Sequence, residues 1–405
     1  MSAPDYSHET LRLERPATGG AVGHLSDGRV VFVRHALVDE LVEVAVTEVS
    51  SSFARADAVA VLEASPHRVV APCAYAHPGG CGGCDLQHAS PEAQKAWKAA
   101  LVSEQLRRVA GIERAVEVIS PDDVPSGSRT RLRCAVTPEG RLALRANRSH
   151  DLVEIRACWL ADSAFAPAFE TSWSGASEVE LRALGEGPAF AVVRRPHGSQ
   201  DTFEVRALSG RAMDPSTESR VRVAQNTFRV SPRSFWQSHR AAPATLTDVV
   251  SRFADVERGD HVVDLFSGVG LFTVPLARAV GPTGRVTAIE SSPFAVRDAR
   301  ANADGLAHVR VREWSVTARA INDAVGGDDV VVLDPPRAGL ARGVAAALVR
   351  RAPRRLVYVS CDAATFARDL KVFSGGGYRL SDLMVFDFFP MTEHVELVAL
   401  LDTAS

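Results

Sequence analysis

From about residue 231 onward, short apolar runs alternate with helical stretches: HVVDLF, RVTAIE, DVVVLD and RLVYVS are each separated by enough chain for a crossover helix. No other feature restricts the fold so far. Strands spaced in this way run parallel, and parallel strands covered by helices on both faces read as unbroken apolar runs. The expected class is α/β, with a doubly wound parallel sheet over residues 231–405. Such sheets bind ligands in the crevice outside the carboxyl ends of their strands. The residues that follow each run are therefore the first candidates for a site.

HVVDLFSGVGLFTVPLA puts Asp264 at a strand end and Gly268 and Gly270 in the turn before a helix, where glycine lets the backbone approach a ligand closely. Thr273 stands where a dinucleotide fingerprint needs its third glycine, which disfavours NAD. The next strand ends in Glu290, suited to accept from ribose hydroxyls, and VVLDPPRAG ends a later one at Asp334. This set fits S-adenosyl-L-methionine best; the plainer alternative is that the acids cap helices. LVYVSCDAATFARDL brings Cys361 to the mouth of a helix, whose partial positive charge favours a thiolate, although a lone cysteine after a strand more often only packs. In VFDFFPMTEHVELVALL the carboxylate of Glu396 stands inside an apolar strand, which is costly unless it is paired or working. A methyl donor, a thiol and a carboxylate suggest covalent catalysis. Thiolate attack at C6 of uracil makes C5 nucleophilic, C5 takes the methyl group, and a base removes the C5 proton so that the thiol can leave.

A chain of 405 residues suggests two or three domains. Residues 9–67 carry β-branched runs such as GRVVFVRHAL and LVEVAVTEVS between Gly, Asp and Ser turns, the pattern of a small β-barrel. SPEAQKAWKAALVSEQLRRVAG predicts a helix capped by Ser90 and stopped by Gly111. Strand-like sequence then returns over 118–230, with Arg129, Arg131 and Arg133 on one strand face. With Arg141, Arg145, Arg148 and His150 they make a local basic surface for phosphates, or else a solvated face. Net charge is −3, and residues 1–67 hold 5 Lys+Arg against 10 Asp+Glu, so there is no general basic field. No apolar run approaches the ~20 residues of a membrane span, and MSAPDYSHETLRLER lacks the order of a signal peptide, so a cytoplasmic location is expected. Three of the six cysteines, Cys73, Cys81 and Cys84, lie within HPGGCGGCDLQH or just upstream. In a reducing compartment such a cluster suggests metal or chemistry, and composition leaves a zinc site and an iron–sulfur site equally open.

The motifs resemble a known family, the RNA uracil-5-methyltransferases, particularly the bacterial 23S ribosomal RNA members. FWQSH, DLFSGVGLF, LDPPRAG, SCDAATFARDL and FPMTEHVE occur in the family's order, and the resemblance covers nearly the whole chain. It implies an OB-like TRAM β-barrel over 1–67, a central, mainly β, iron–sulfur and RNA-binding domain over 68–230, and a Rossmann-like methyltransferase domain over 231–405. It implies that Cys361 is the nucleophile, Glu396 the proton acceptor, and Gln237, Phe266, Glu290 and Asp334 contacts of S-adenosyl-L-methionine. Cys73, Cys81, Cys84 and Cys158 match the family's ligands to a [4Fe–4S] cluster, read as structural, with Cys134 outside the set and in the core. Two positions depart from the family pattern: Ala363 replaces a proline after the nucleophile, and Leu271 replaces an asparagine in the glycine turn. Transfer RNA members resemble this chain only in the catalytic part. The resemblance therefore favours 23S ribosomal RNA, with an unstacked uridine in a loop as target and no obligate protein partner. A transfer RNA enzyme, a non-catalytic RNA-binding or assembly protein and a small-molecule C-methyltransferase are the alternatives.

Overall fold

The structure is a computed structural model and describes residues 9–121, 125–197, 200–208, 214 and 218–403. The first eight residues, part of the stretch read above for a signal peptide, lie outside that set. Alternation sets the N-terminal unit. Strand Val30–Arg34 buries Val31 and Val33 and leaves its other side chains half-buried, as the two-residue period of a strand requires. It pairs in parallel with Phe53–Glu63, while Leu41–Val49 pairs antiparallel with the same long strand. Six strands curl into one sheet, yet among the described residues no ladder joins its two edge strands, Glu9–Arg12 and Arg15–Ala17. The expected closed OB-like barrel is thus a half-barrel.

Helix Pro91–Gln105 covers the open side. Ser90 caps it by accepting from the Ala93 amide, and after a short π turn Gly111, at φ 72°, ends it as expected. Its Trp97 and Leu101 join the half-barrel core, while Val102 and Leu106 join the core of the C-terminal sheet. Lys98, fully buried on this helix, donates to the Asp387 carboxylate and to the Phe389 carbonyl, 3.0 Å away. The helix therefore ties the N-terminal unit to the segment leading into Glu396.

The middle of the chain forms an antiparallel sheet with the order Leu152–Glu154, Leu142–Arg145, Arg131–Val136, Glu178–Arg182, Phe190–His197, Gln200–Ala207. Cys134 is fully buried in its core. Cys73, Cys81, Cys84 and Cys158 line one shared cavity beside it, together with Tyr75 and Arg129. Burial pushes the Cys81 thiol up and that of Cys84 up to about 12. Among the described residues no group of three or more His, Cys, Asp or Glu could hold a metal ion. On that finding the expected [4Fe–4S] cluster, the iron–sulfur character of the central domain and the alternative zinc site are corrected: the four thiols line one cavity without making, among the described residues, a group that could hold a metal ion.

The C-terminal part carries an eight-stranded sheet in the order Val309–Glu313, Arg285–Glu290, His261–Leu265, Val330–Leu333, Arg355–Ser360, Glu396–Thr403, Tyr378–Phe386, Val118–Ile119. The first five run parallel to one another, and Glu396–Thr403 enters antiparallel. Val330–Leu333 is buried at every position, the mark of a strand covered on both faces. Among the described residues no helix is long and apolar enough to cross a membrane.

Candidate functional site

Strand register assembles the site. Leu265 pairs with Ile289 on one side and Leu333 on the other, and Leu333 pairs with Tyr358. The residues just beyond these pairs, Phe266, Glu290 and Asp334, therefore sit at adjoining carboxyl ends of parallel strands. Ser360 pairs with Leu397 across the antiparallel ladder. That single pairing sets Cys361, leaving one strand, beside Glu396, entering the next.

The glycine turn is shaped for a ligand. Phe266, Gly268 and Gly270 all have positive φ (61°, 54° and 91°), and a Cβ built on Gly268 would meet nothing within 4 Å. The Gly268 amide donates to Glu290 Oε2 at 3.0 Å, while Glu290 Oε1 accepts from the amides of Ser291 and Ser292, each at 2.7 Å. Asp264 accepts from the Thr273 hydroxyl through one oxygen; its other oxygen and the Ser267 hydroxyl are buried without partners. Burial and then the Glu290 charge push Asp264 up to about 7. Orphaned buried polar atoms, a carboxylate at a strand end and an open glycine fit S-adenosyl-L-methionine. Gln237 lies on the loop after strand Asn226–Val230, where its carbonyl accepts from Thr130 Oγ1 at 3.3 Å and the neighbouring Ser238 carbonyl accepts from the Thr130 amide at 2.8 Å.

Around the thiol, three charged groups compete. Burial, then Glu396 and Asp334, push Cys361 up to about 11, while the Arg337 guanidinium, within hydrogen-bonding reach, opposes them. The helix mouth expected to favour a thiolate is outweighed. Burial and the Asp334 charge likewise raise Glu396, only 4% exposed, well above the usual carboxylate range, against Arg337. Burial and Asp264 push Asp334 up to about 7. Arg337 was missed as a site residue by the sequence reading although it lies inside the quoted LDPPRAG; its signal is one residue type, a cation in the turn after strand Val330–Leu333.

The arginines divide. Arg131, Arg133 and Arg182 converge on Glu180, with bonds of 2.7, 3.3 and 2.6 Å. Burial opposes the Glu180 charge, but Arg131 and Arg182 hold its carboxyl down at about 2. Arg129 is half-buried and lines the cysteine cavity. Arg141, Arg145 and Arg148 are exposed. Arg148 shares a cavity of about 240 Å³ with Arg34 and Arg55 of the half-barrel, and Arg55 also lies over the Phe32 and Phe53 rings at 5.5 and 5.1 Å. At this junction the Gly19 amide donates to Glu393, three residues before Glu396, at 2.7 Å.

Comparison with known proteins adds two family models: tRNA (Uracil-5-)-methyltransferase over residues 216–404, and the TRAM domain over residues 14–59. An uncharacterized RNA methyltransferase of Streptomyces avermitilis is 38% identical, covering 96% of each chain. The 23S rRNA (uracil(1939)-C(5))-methyltransferase RlmD of Pectobacterium atrosepticum is 34% identical over 92% of this chain and 89% of its own. Among solved structures, the Pyrococcus abyssi tRNA (uracil-54, C5)-methyltransferase, determined with S-adenosyl-L-homocysteine, matches with a TM-score of 0.70 at 25% identity, covering 96% of this chain and 100% of its own.

Proposed function

This chain belongs to the RNA (uracil-C5)-methyltransferases, S-adenosyl-L-methionine-dependent enzymes, and from that premise we propose that it methylates a uridine held in a loop of a structured RNA, with transfer RNA as the first substrate class. The observation that carries the reading is the Ser360–Leu397 pairing, which sets a thiol and a carboxyl side by side at the cleft. Cys361 gives its proton to solvent water as its sulfur bonds C6 of the ring; the carbanionic C5 then takes a methyl group. S-adenosyl-L-methionine supplies that group as an electrophilic methyl on a sulfonium. Glu396, as carboxylate, removes the C5 proton while the C6–S bond breaks and returns the thiolate. Arg337 favours both anions as they form. Asp264, Phe266, Gly268, Gly270, Glu290, Asp334 and Gln237 hold the cofactor and orient the base. Among the arginines, Arg145 and Arg148 face the RNA, joined by Arg55, whereas Arg131 and Arg133 brace the middle sheet.

Two similarities support transfer RNA: the matching family model and the full-length likeness to a solved transfer RNA enzyme. That likeness spans the whole partner chain, so the reason given above for preferring ribosomal RNA, that transfer RNA members share only the catalytic part, no longer discriminates. The second reading, 23S ribosomal RNA in a cytoplasmic enzyme, is favoured by relatives named RlmD at 32 to 34% identity. The test is labelled methyl transfer to unmodified transfer RNA and to 23S ribosomal RNA fragments, followed by mapping of 5-methyluridine. Label confined to the ribosomal fragments would overturn the first choice, and wild-type transfer by Cys361→Ala would overturn the mechanism.

A further inference from the structure

Arg337 acts on both Cys361 and Glu396, yet it projects from a turn, Pro336 to Leu340, that belongs to neither of their strands. What holds that turn is one face of helix Ala363–Gly375, which begins two residues after the nucleophile. Thr365, Arg368 and Asp369, spaced i, i+3 and i+4, lie on that face. Thr365 Oγ1 donates to the Arg337 carbonyl at 3.1 Å. Arg368 Nη2 donates to the Ala338 carbonyl at 3.0 Å and the Leu340 carbonyl at 3.2 Å. The Leu340 amide donates to Asp369 Oδ2 at 2.8 Å, and the same oxygen accepts from the Tyr358 hydroxyl, also at 2.8 Å. Asp369 Oδ1 takes two bonds from Arg368, at 3.0 and 2.9 Å. Asp369 is 4% exposed and Tyr358 fully buried, on the strand that delivers Cys361. The fit is close enough to demand glycine at 339. With φ +71°, a Cβ there would stand 2.5 Å from Arg368 Nη2 and 2.8 Å from Asp369 Oδ2.

A buried carboxylate with this many partners is expensive to desolvate unless every bond is made. The helix does not need it, since Asp362 already caps its N-terminus through Thr365. Its bonds run outward instead, to the neighbouring turn and to the strand of the nucleophile. We propose that Asp369, with Arg368 and Thr365, is the positioning unit of the reaction. It locks the Pro336–Leu340 turn to the helix after the nucleophile, so that the Arg337 guanidinium stays within reach of Cys361 and its charge bears on Glu396. This rests on the reading of Cys361 as nucleophile.

Asp369→Asn keeps an acceptor for Leu340 and Tyr358 but loses the charge that holds Arg368. In the full-length enzyme, kcat is expected to fall about 10- to 100-fold with the affinity for S-adenosyl-L-methionine unchanged. The decisive readout is alkylation of Cys361 by iodoacetamide against pH, followed on the Cys361 peptide by mass spectrometry. Asp369→Asn is expected to move that profile to higher pH, in the same direction as Arg337→Ala, and the double variant to move it no further than Arg337→Ala alone. A fall in kcat with an unmoved profile would reduce Asp369 to a structural residue, and additive shifts would separate it from Arg337; either overturns the proposal. If Asp369→Asn does not fold, Thr365→Val, which removes one bond to the turn, carries the same test: a smaller shift in the same direction supports the clamp, and an unmoved profile overturns it. Failure of the underlying reading looks different, because Cys361→Ala would then retain methyl transfer whatever the Asp369 variant does.

Discussion

At the residue scale, the nucleophile proposed for the reaction is a thiol that is not pre-ionised. Burial, then Glu396 and Asp334, hold Cys361 near 11, so at neutral pH it is a thiol. Its alkylation without RNA is expected to rise about tenfold per pH unit and to level off only near 11, measured by iodoacetamide labelling of the Cys361 peptide. A plateau below pH 8 would contradict the charge arrangement described. Glu396→Gln separates the two halves of the reaction. Attack at C6 and methyl transfer need no base at that position, but the C5 proton then has no acceptor and the covalent adduct persists. A slow-migrating protein–RNA band on a denaturing gel, absent from the variant that also lacks Cys361, is the expected outcome. Turnover at the wild-type rate with no band would assign the proton to another group.

Helix Pro91–Gln105 is the element on which the parts meet. It packs Trp97 into the half-barrel and Val102 into the C-terminal core, and sends Lys98 to Asp387. Lys98 is fully buried and Asp387 is 7% exposed, so neither charge is screened by water. Lys98→Ala leaves a buried carboxylate unpaired and is expected to destabilise the protein by about 3–5 kcal/mol. Urea denaturation checks this; a change under about 1 kcal/mol would mean that solvent reaches Asp387 after all. Sequence pattern made the caps of this helix readable, since both act locally, Ser90 through its hydroxyl on the Ala93 amide and Gly111 through its left-handed backbone. It did not make the Lys98–Asp387 pair readable, because the partners lie 289 residues apart.

Across the whole molecule, the half-barrel meets the middle sheet and the loop before Glu396 at the junction of Arg34, Arg55 and Arg148. If RNA crosses there, Arg55→Ala and Arg148→Ala should each weaken RNA binding and lower the slope of log K against log salt by about 0.7 to 0.9, while leaving S-adenosyl-L-methionine affinity unchanged. Filter binding across a salt series measures this, and an unchanged slope would remove the junction from the RNA path. The acidic balance of residues 1–67 hid this junction, because total charge says nothing of where individual guanidiniums converge. The same distinction governs the rest of the chain. Period, turn glycines and strand ends are local properties, so the sequence by itself determined the parallel strands of the C-terminal sheet, though not its two antiparallel pairings, the crevice acids and glycines at the strand ends, and the candidacy of Cys361 and Glu396. Whether distant groups meet depends on register and on space. Tertiary structure alone decided that Cys361 leaves one strand beside Glu396 entering the next, that Arg131 and Arg133 spend their charge on Glu180, and that among the described residues no ladder closes the N-terminal sheet. It also decided that four thiols with a ligand-like spacing line one cavity without making, among the described residues, a group that could hold a metal ion, because spacing along a chain specifies which sulfurs can approach and not how they are disposed around the space between them.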